Sequence, residues 1–373
     1  MTTADRRVAI FSQRAIRRDV SRCSGYEFED VVTALEGARL HIAERPPSRE
    51  ILMRARRWSS KRTRLFEWVP SGAVRAPLGE DVDLFGCFVQ KPVELLALDA
   101  VPDWRARSRL AFCVLEELWL TTIDDFRPLV ASLGRFDLIA CAFESSCARV
   151  AELTGRPVIH LPGAADLLRF APPIAPPERV IDLHYMGRRR PELHAQVKAV
   201  LDARRRFYLY DSAALPPVVE DHVLHRELLA SLIQRARLFM VDYGKIGHAD
   251  QRRGQLIWGP RHVEGMAGGA VQVGYAPDSP DYHRHFDWPE AVERLPEHPT
   301  EAARAIMALL EDPQEQERRR RVNLVHALGR HDWLHRWALI LGHFGLPETQ
   351  AMTRRRERLT ALARAYSGGI RAA

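Results

Sequence analysis

Two groups of side chains in this chain have types and spacings suited to chemistry. Glu116 and Glu117 close the apolar run "FCVLEELW", where a carboxylate can act as a general base or hold a hydroxyl by hydrogen bonds. The same pair also fits the acidic first turn of a helix. Glu264 stands in "GPRHVEGMAGGAVQVG", between Pro260 and the pair Gly268-Gly269. One turn into a helix, it can accept hydrogen bonds from two vicinal hydroxyls, as on a ribose, while the helix N–H groups take a phosphate. A solvated helix residue followed by a tight turn would look the same locally. His331 and His335 in "HDWLHRW" have a zinc-chelating i, i+4 spacing. No glutamate accompanies them and the tryptophans point to helix packing, so no metal is expected there.

These residues need elements to hold them. "RVAIFS" reads as a strand, Ser24-Gly25 as part of a polar loop, and "FEDVVTALEGARL" as an amphipathic helix. "DLFGCFV", "SRLAFCVLEELW" and "FDLIACAFESSCARVAELTG" continue the alternation, the last ending a helix at Gly155, and "PVIHLPG" adds a strand. "APPIAPPE" is the richest proline segment and reads as a linker. After it the pattern restarts with "VIDLHYMG", "PELHAQVKAVLDA", "RFYLYD", "HRELLASLIQRA" and "RLFMVDYG", and beyond Pro299 the chain turns helical. Alternating strands and helices predict α/β architecture with parallel, doubly wound sheets. The expected division is 1–172, 173–345 and a helical tail 346–373 that packs back on the first domain.

With 46% hydrophobic and 28% charged residues, the composition is that of a globular chain. Its 373 residues suit two domains with a cleft between them. Five cysteines without C-x-x-C pairing favour a reducing compartment. No apolar run approaches the roughly 18 residues of a membrane span, and the expected location is cytoplasmic. The net charge of +7 comes mostly from arginine, which suits oxyanion recognition. No nucleic-acid-binding signature accompanies it, so nucleic acid is not an expected partner.

"EGMAGGAVQVG" resembles the E-A-M-A-x-G-x-P-V segment of family 4 and related group 1 glycosyltransferases with the GT-B fold, particularly the spore-maturation-like branch. "HLPGAADLLRFAP" resembles the family's domain-crossing segment and "HYMGRRRPEL" its strand-G-R segment. The resemblance implies two Rossmann-like domains facing a central cleft. It implies a UDP- or GDP-linked sugar donor on the second domain, an unidentified acceptor on the first, and no cofactor. By it Glu264 is the ribose-binding glutamate and Arg188 the arginine that neutralises the donor diphosphate. Leu256 replaces a second family glutamate, and Arg189 and Arg190 stand where a lysine is usual; Lys245 and Arg261 are the candidates to supply the missing charge. The expected donor set is Glu264, Arg188, Lys245, Arg261, Gly259 and Gly25, with Arg188, Glu117 and Glu116 as catalytic groups. Retention of anomeric configuration follows from the resemblance alone.

"DVD", Asp81 to Asp83, matches the D-x-D of metal-dependent glycosyltransferases but precedes a strand, so metal-independent transfer is expected. Two alternatives stay open: an epimerase or hydrolase on the same fold, and a non-catalytic nucleotide-sugar-binding subunit of a glycosylation complex. "REILMRARRWSSKRTR", Arg49 to Arg64, fits either peripheral binding to an anionic membrane or a solvated basic helix that receives a soluble acceptor.

Overall fold

The computed structural model describes residues 6–60, 68–212, 218–252 and 254–368. Contacts divide the chain into two units. The first comprises Met1–Pro162, Val218–His222 and Arg336–Arg354; the second comprises Gly163–Pro217, Val223–His335 and Arg355–Ala373. The boundary near the C-terminus falls within the helix Gln350–Ser367.

The first unit is built on six strands: β1 (Val8–Ser12), β2 (Arg39–Ile42), β3 (Val82–Val89), β4 (Ser108–Leu115), β5 (Leu138–Cys141) and β6 (Val158–His160). They lie in the order β2-β1-β3-β4-β5-β6 and every pairing is parallel. The second unit carries β7 (Ile181–Tyr185), β8 (Tyr208–Tyr210), β9 (Ala236–Val241), β10 (Val271–Gly274) and β11 (Glu293–Arg294). Their order is β11-β10-β9-β7-β8, again all parallel. A fully buried strand such as β1, VAIFS, reads as a nearly continuous apolar run because helices cover both faces, whereas the equally buried β7, IDLHY, carries Asp182 and His184. Both units are Rossmann-like α/β layers, and the long C-terminal region is helical.

In each sheet the strand order reverses next to the first strand, between β1 and β3 and between β7 and β9. At such a switch point the connections leave in opposite directions and open a crevice beyond the carboxyl ends of the strands. Two loop sets are thereby singled out: 13–19 with 90–91, and 186–190 with 242–248.

Ser24 and Gly25, expected in a loop, lie in the first turn of the helix Cys23–Glu36. That helix starts early because its first turn is buried; a Cβ at Gly25 would come within 2.7 Å of the Phe88 ring. Asp81 and Asp83 sit at the amino edge of the first sheet. Asp81 pairs with Arg107 at 3.1 Å, and Asp83 accepts a hydrogen bond from the Arg7 N–H at 2.9 Å.

Candidate functional site

The second switch point is built around the helix Pro260–Ala267. Proline at its first position needs no N–H partner, and glycines let it press onto its neighbours. A Cβ at Gly265 would reach Phe239 at 2.7 Å and one at Gly268 would reach Ile233 at 2.3 Å, while Gly269 takes a φ of +68°. Glu264 is thus carried inward, only 2% exposed. The alternative of a solvated helix residue does not hold.

Its two oxygens meet two arginines. Arg226 Nη1 donates to Oε1, and Arg261 Nη1 donates to Oε2 at 3.2 Å. Arg226 lies on the buried face of the helix His222–Gln234, its guanidinium 4.6 Å from the centre of the Phe170 ring. Burial alone would raise the Glu264 pKa, but the two guanidiniums outweigh it and hold the carboxyl below its usual range. Both oxygens keep lone pairs, since a carboxylate oxygen accepts two hydrogen bonds.

Arg261 in turn contacts Met186 Sδ and lies beside Gly187, in the loop that leaves β7. Gly187 donates its N–H to Asp211 Oδ2 at 2.5 Å, which fixes the loop's first turn. Arg188 follows, exposed, and among the described residues it has no ion pair or hydrogen-bond partner. Arg190 is held differently. Its Nε and Nη2 donate to Asp242 at 3.1 and 3.3 Å, and its guanidinium lies 3.6 Å from the centre of the Tyr275 ring. Burial raises the Asp242 pKa to about 6 despite that pairing. His184, at the end of β7, is pushed down to about 4 by burial and by Arg261, so it is neutral near pH 7. Lys245 stands in the β9 loop at a φ of 54°, and Gly259 is the extended residue that precedes the Glu264 helix.

The structure therefore brings Glu264 and Arg261 into contact and sets Arg188 in the adjoining loop; Lys245 and Gly259 lie on the loops between β9 and the Glu264 helix. Arg226 and Asp242 were not singled out from sequence, and Arg190 was noted only as standing where a lysine is usual. Arg226 carried a signal: it shares a helix face with Leu229, Ala230 and Ile233, an unusual place for a charge.

At the first switch point, Gly25 and Glu116 line one small cavity with Arg22 and Glu94. Arg22 forms an ion pair with Glu94, which also accepts hydrogen bonds from the N–H groups of Gln90 and Lys91 at 2.9 and 3.1 Å. Glu116 follows β4, with its N–H bonded to Val89 O at 2.9 Å. Glu117 turns elsewhere, accepting from Trp119 Nε1 at 3.0 Å with Lys91 at 3.8 Å. Nearby, Glu29 is fully buried and accepts from Ser12 Oγ at 2.5 Å and from Arg14 at 2.8 Å. Arg14 also pairs with Asp30 at 3.0 Å, and Asp30 with His222 at 2.7 Å. Burial lifts the Glu29 pKa to about 7.

Residues 188–342 match the family described as glycosyl transferase-like. No curated protein matches by sequence. Among solved structures the fold is similar to that of Anabaena HepE, crystallised with UDP-glucose, with a TM-score of 0.52 and 12% identity over 91% of this chain and 100% of that one. It is also similar to a UDP-forming α,α-trehalose-phosphate synthase from Burkholderia vietnamiensis, with a TM-score of 0.51 and 10% identity over 99% and 100% of the two chains. The parallel switch-point topology of both units and these likenesses give the chain the two-domain GT-B fold, and the segment that carries Glu264 is similar to the glycosyl transferase-like family.

Proposed function

We propose that the chain transfers a sugar from a UDP- or GDP-linked donor, bound by the second unit, to an acceptor bound by the first. The observation that carries this reading is the pairing of an unpartnered, exposed Arg188 with an Arg261 held in place by buried Glu264, both at the carboxyl edge of the second sheet. HepE was solved with UDP-glucose and the synthase is UDP-forming, which favours UDP as the donor nucleotide.

In this reading Arg188, Arg261 and the start of the Glu264 helix meet the donor diphosphate, and the remaining lone pairs of Glu264 accept the ribose hydroxyls. As the bond from the anomeric carbon to the diphosphate oxygen breaks, its electron pair leaves with the diphosphate. Fixed guanidiniums stabilise that charge without reorganisation. The acceptor oxygen bonds to the anomeric carbon and its proton passes to a base, for which Glu116, beside the Gly25 cavity, is the better placed of the two glutamates. Transfer without a metal ion is supported by the position of Asp81 and Asp83, at the amino edge and engaged by other residues. Retention rests on the sequence resemblance, and the anomeric coupling constant of the product reads it directly.

Calorimetry with UDP tests the donor site: Glu264→Gln should lose about 1–3 kcal/mol of binding free energy, the usual worth of a charge-assisted hydrogen bond. An unchanged affinity would overturn the assignment.

An anionic membrane surface as the place of the acceptor has its own support. The helix Glu50–Ser60 buries Met53, Arg56 and Ser60 and turns Ile51, Arg54, Arg57 and Trp58 outward, with Ile51 72% and Trp58 64% exposed. Lys61, Arg62 and Arg64 of the same basic run lie outside the described residues. Among the described residues no helix is long and apolar enough to cross a membrane. Sedimentation with anionic vesicles at low salt, against neutral ones, should separate the two; equal partition removes the membrane reading.

A further inference from the structure

The opposite edge of the second sheet has a charge pattern of its own. Arg179 precedes β7, Arg204, Arg205 and Arg206 precede β8, and Arg235 and Arg237 lie at the start of β9. Because the strand order is β9-β7-β8, these arginines converge on one stretch of the amino edge. An open cavity of about 290 Å³ lies there, lined by Arg204, Arg205, Arg206 and Arg237 with Asp182 and Glu311.

The carboxylates are already committed. Buried Asp182 accepts from the Phe207 N–H at 2.8 Å and from Arg206 at 3.2 Å, and lies 3.7 Å from Arg237. Glu311 accepts from Arg204 at 3.3 Å. Four guanidiniums therefore face two carboxylates, leaving two formal positive charges in excess. Arg205 is the residue without a role in this framework. It is exposed, it makes no side-chain ion pair or hydrogen bond among the described residues, and its backbone takes a φ of 53°, a region that glycine occupies more readily. A concave, arginine-lined surface with surplus charge concentrates anions, and the planar guanidinium fork matches phosphate oxygens. The apolar lining is limited to Val180 and Met307, so the surface recognises charge and not a ring.

We infer that this amino-edge cavity binds a small, multiply charged phosphate compound of the pyrophosphate type, at a site separate from the donor edge of the same unit. The inference goes beyond the transfer reaction and does not depend on it. Asp182 and Glu311 set the guanidiniums in place, and Arg205 supplies the contact that the fold itself does not use.

Titration calorimetry with inorganic pyrophosphate tests this in the Arg188→Ala background, which weakens any contribution of the donor edge. Arg205→Gly keeps the backbone conformation and removes the guanidinium; it should weaken pyrophosphate binding about tenfold, the worth of one charge-assisted contact, without lowering the melting temperature. Glu311→Gln releases Arg204 and should tighten binding about threefold, an effect of opposite sign that loss of fold cannot imitate. Absence of pyrophosphate binding, or equal affinity in both variants, overturns the inference. So does binding to phosphatidic acid vesicles that pyrophosphate fails to displace, since that assigns the surface to a lipid headgroup. UDP affinity in the Arg205→Gly variant is expected to be unchanged, so failure here and failure of the donor site are told apart.

Discussion

Glu29 of the first unit and Glu264 of the second are both buried glutamates on helices beside a switch point, yet their carboxyls shift in opposite directions. Glu29 faces one guanidinium, that of Arg14, which it shares with Asp30, and burial prevails to put its pKa near 7. Glu264 faces Arg226 and Arg261 and stays ionised. The desolvation cost is similar; the number of guanidiniums per carboxylate decides the outcome. The surplus also differs. At the first switch point Arg14 and Arg22 are paired with buried carboxylates, whereas at the second Arg188 is exposed and has no ion-pair partner among the described residues.

Removing one guanidinium from Glu264 is the largest way to break this contrast. Arg226→Leu should cost about 3–5 kcal/mol of stability, because it strands a buried carboxylate with Arg261 alone. Denaturant melts of the variant and the parent protein measure it. A loss below about 1 kcal/mol, the scale of a surface ion pair, would show that Arg226 is not the essential counter-charge.

A smaller effect is expected for the exposed cation. Arg188→Ala should reduce UDP affinity by about 1.5–3 kcal/mol while leaving the melting temperature unchanged, as suits a contact made only to ligand. Arg14→Ala on the Glu29 side should do the reverse, lowering stability and leaving UDP affinity as it was. Calorimetry and thermal shift on the two variants read both arms, and equal UDP losses would erase the distinction between the switch points.

The third test is pH. The folded pKa of Glu29 lies above its unfolded value of 4.5, so folding takes up a proton and its contribution to stability falls as pH rises from about 4.5 to about 7, then levels. The depressed Glu264 contributes oppositely: its stabilisation is present above 4.5 and is lost as pH falls through the folded pKa. Glu29→Gln should therefore flatten stability between pH 5 and 7, by roughly 1–2 kcal/mol over that window. A chemical melt at each pH decides it; an unaltered slope would place the Glu29 pKa in the ordinary range.

Much of the framework was legible because it rests on local pattern. Pro260 and Gly268-Gly269 bracket the Glu264 helix in sequence as they do in space, and strand–helix alternation already required parallel sheets. The partners of Glu264 were less accessible. Arg226 is 38 residues away on another helix, and only the register of β7 and β9 sets Arg261 beside Gly187. Gly25 was misplaced into a loop because its reason for being small is Phe88 on β3, a helix-to-strand contact that no local pattern reveals. The Glu29, Arg14, Asp30 and His222 chain was unreadable for the same reason, since it joins residues nearly 200 positions apart.

Trp337 has a consequence for synthesis. It belongs to the first unit, is wholly buried, lies 5.5 Å from the Phe112 ring and 6.3 Å from Phe28, and donates its indole N–H to Glu36 across a separation of 301 residues. A nascent chain that has emerged through β6 holds every strand of the first sheet yet lacks the indole that fills the space between Phe28 and Phe112. The second unit can complete its own sheet while that space is still open. The first unit therefore closes its core only after every strand of the second has been made, and until then it depends on whatever shields an incomplete aromatic core from aggregation.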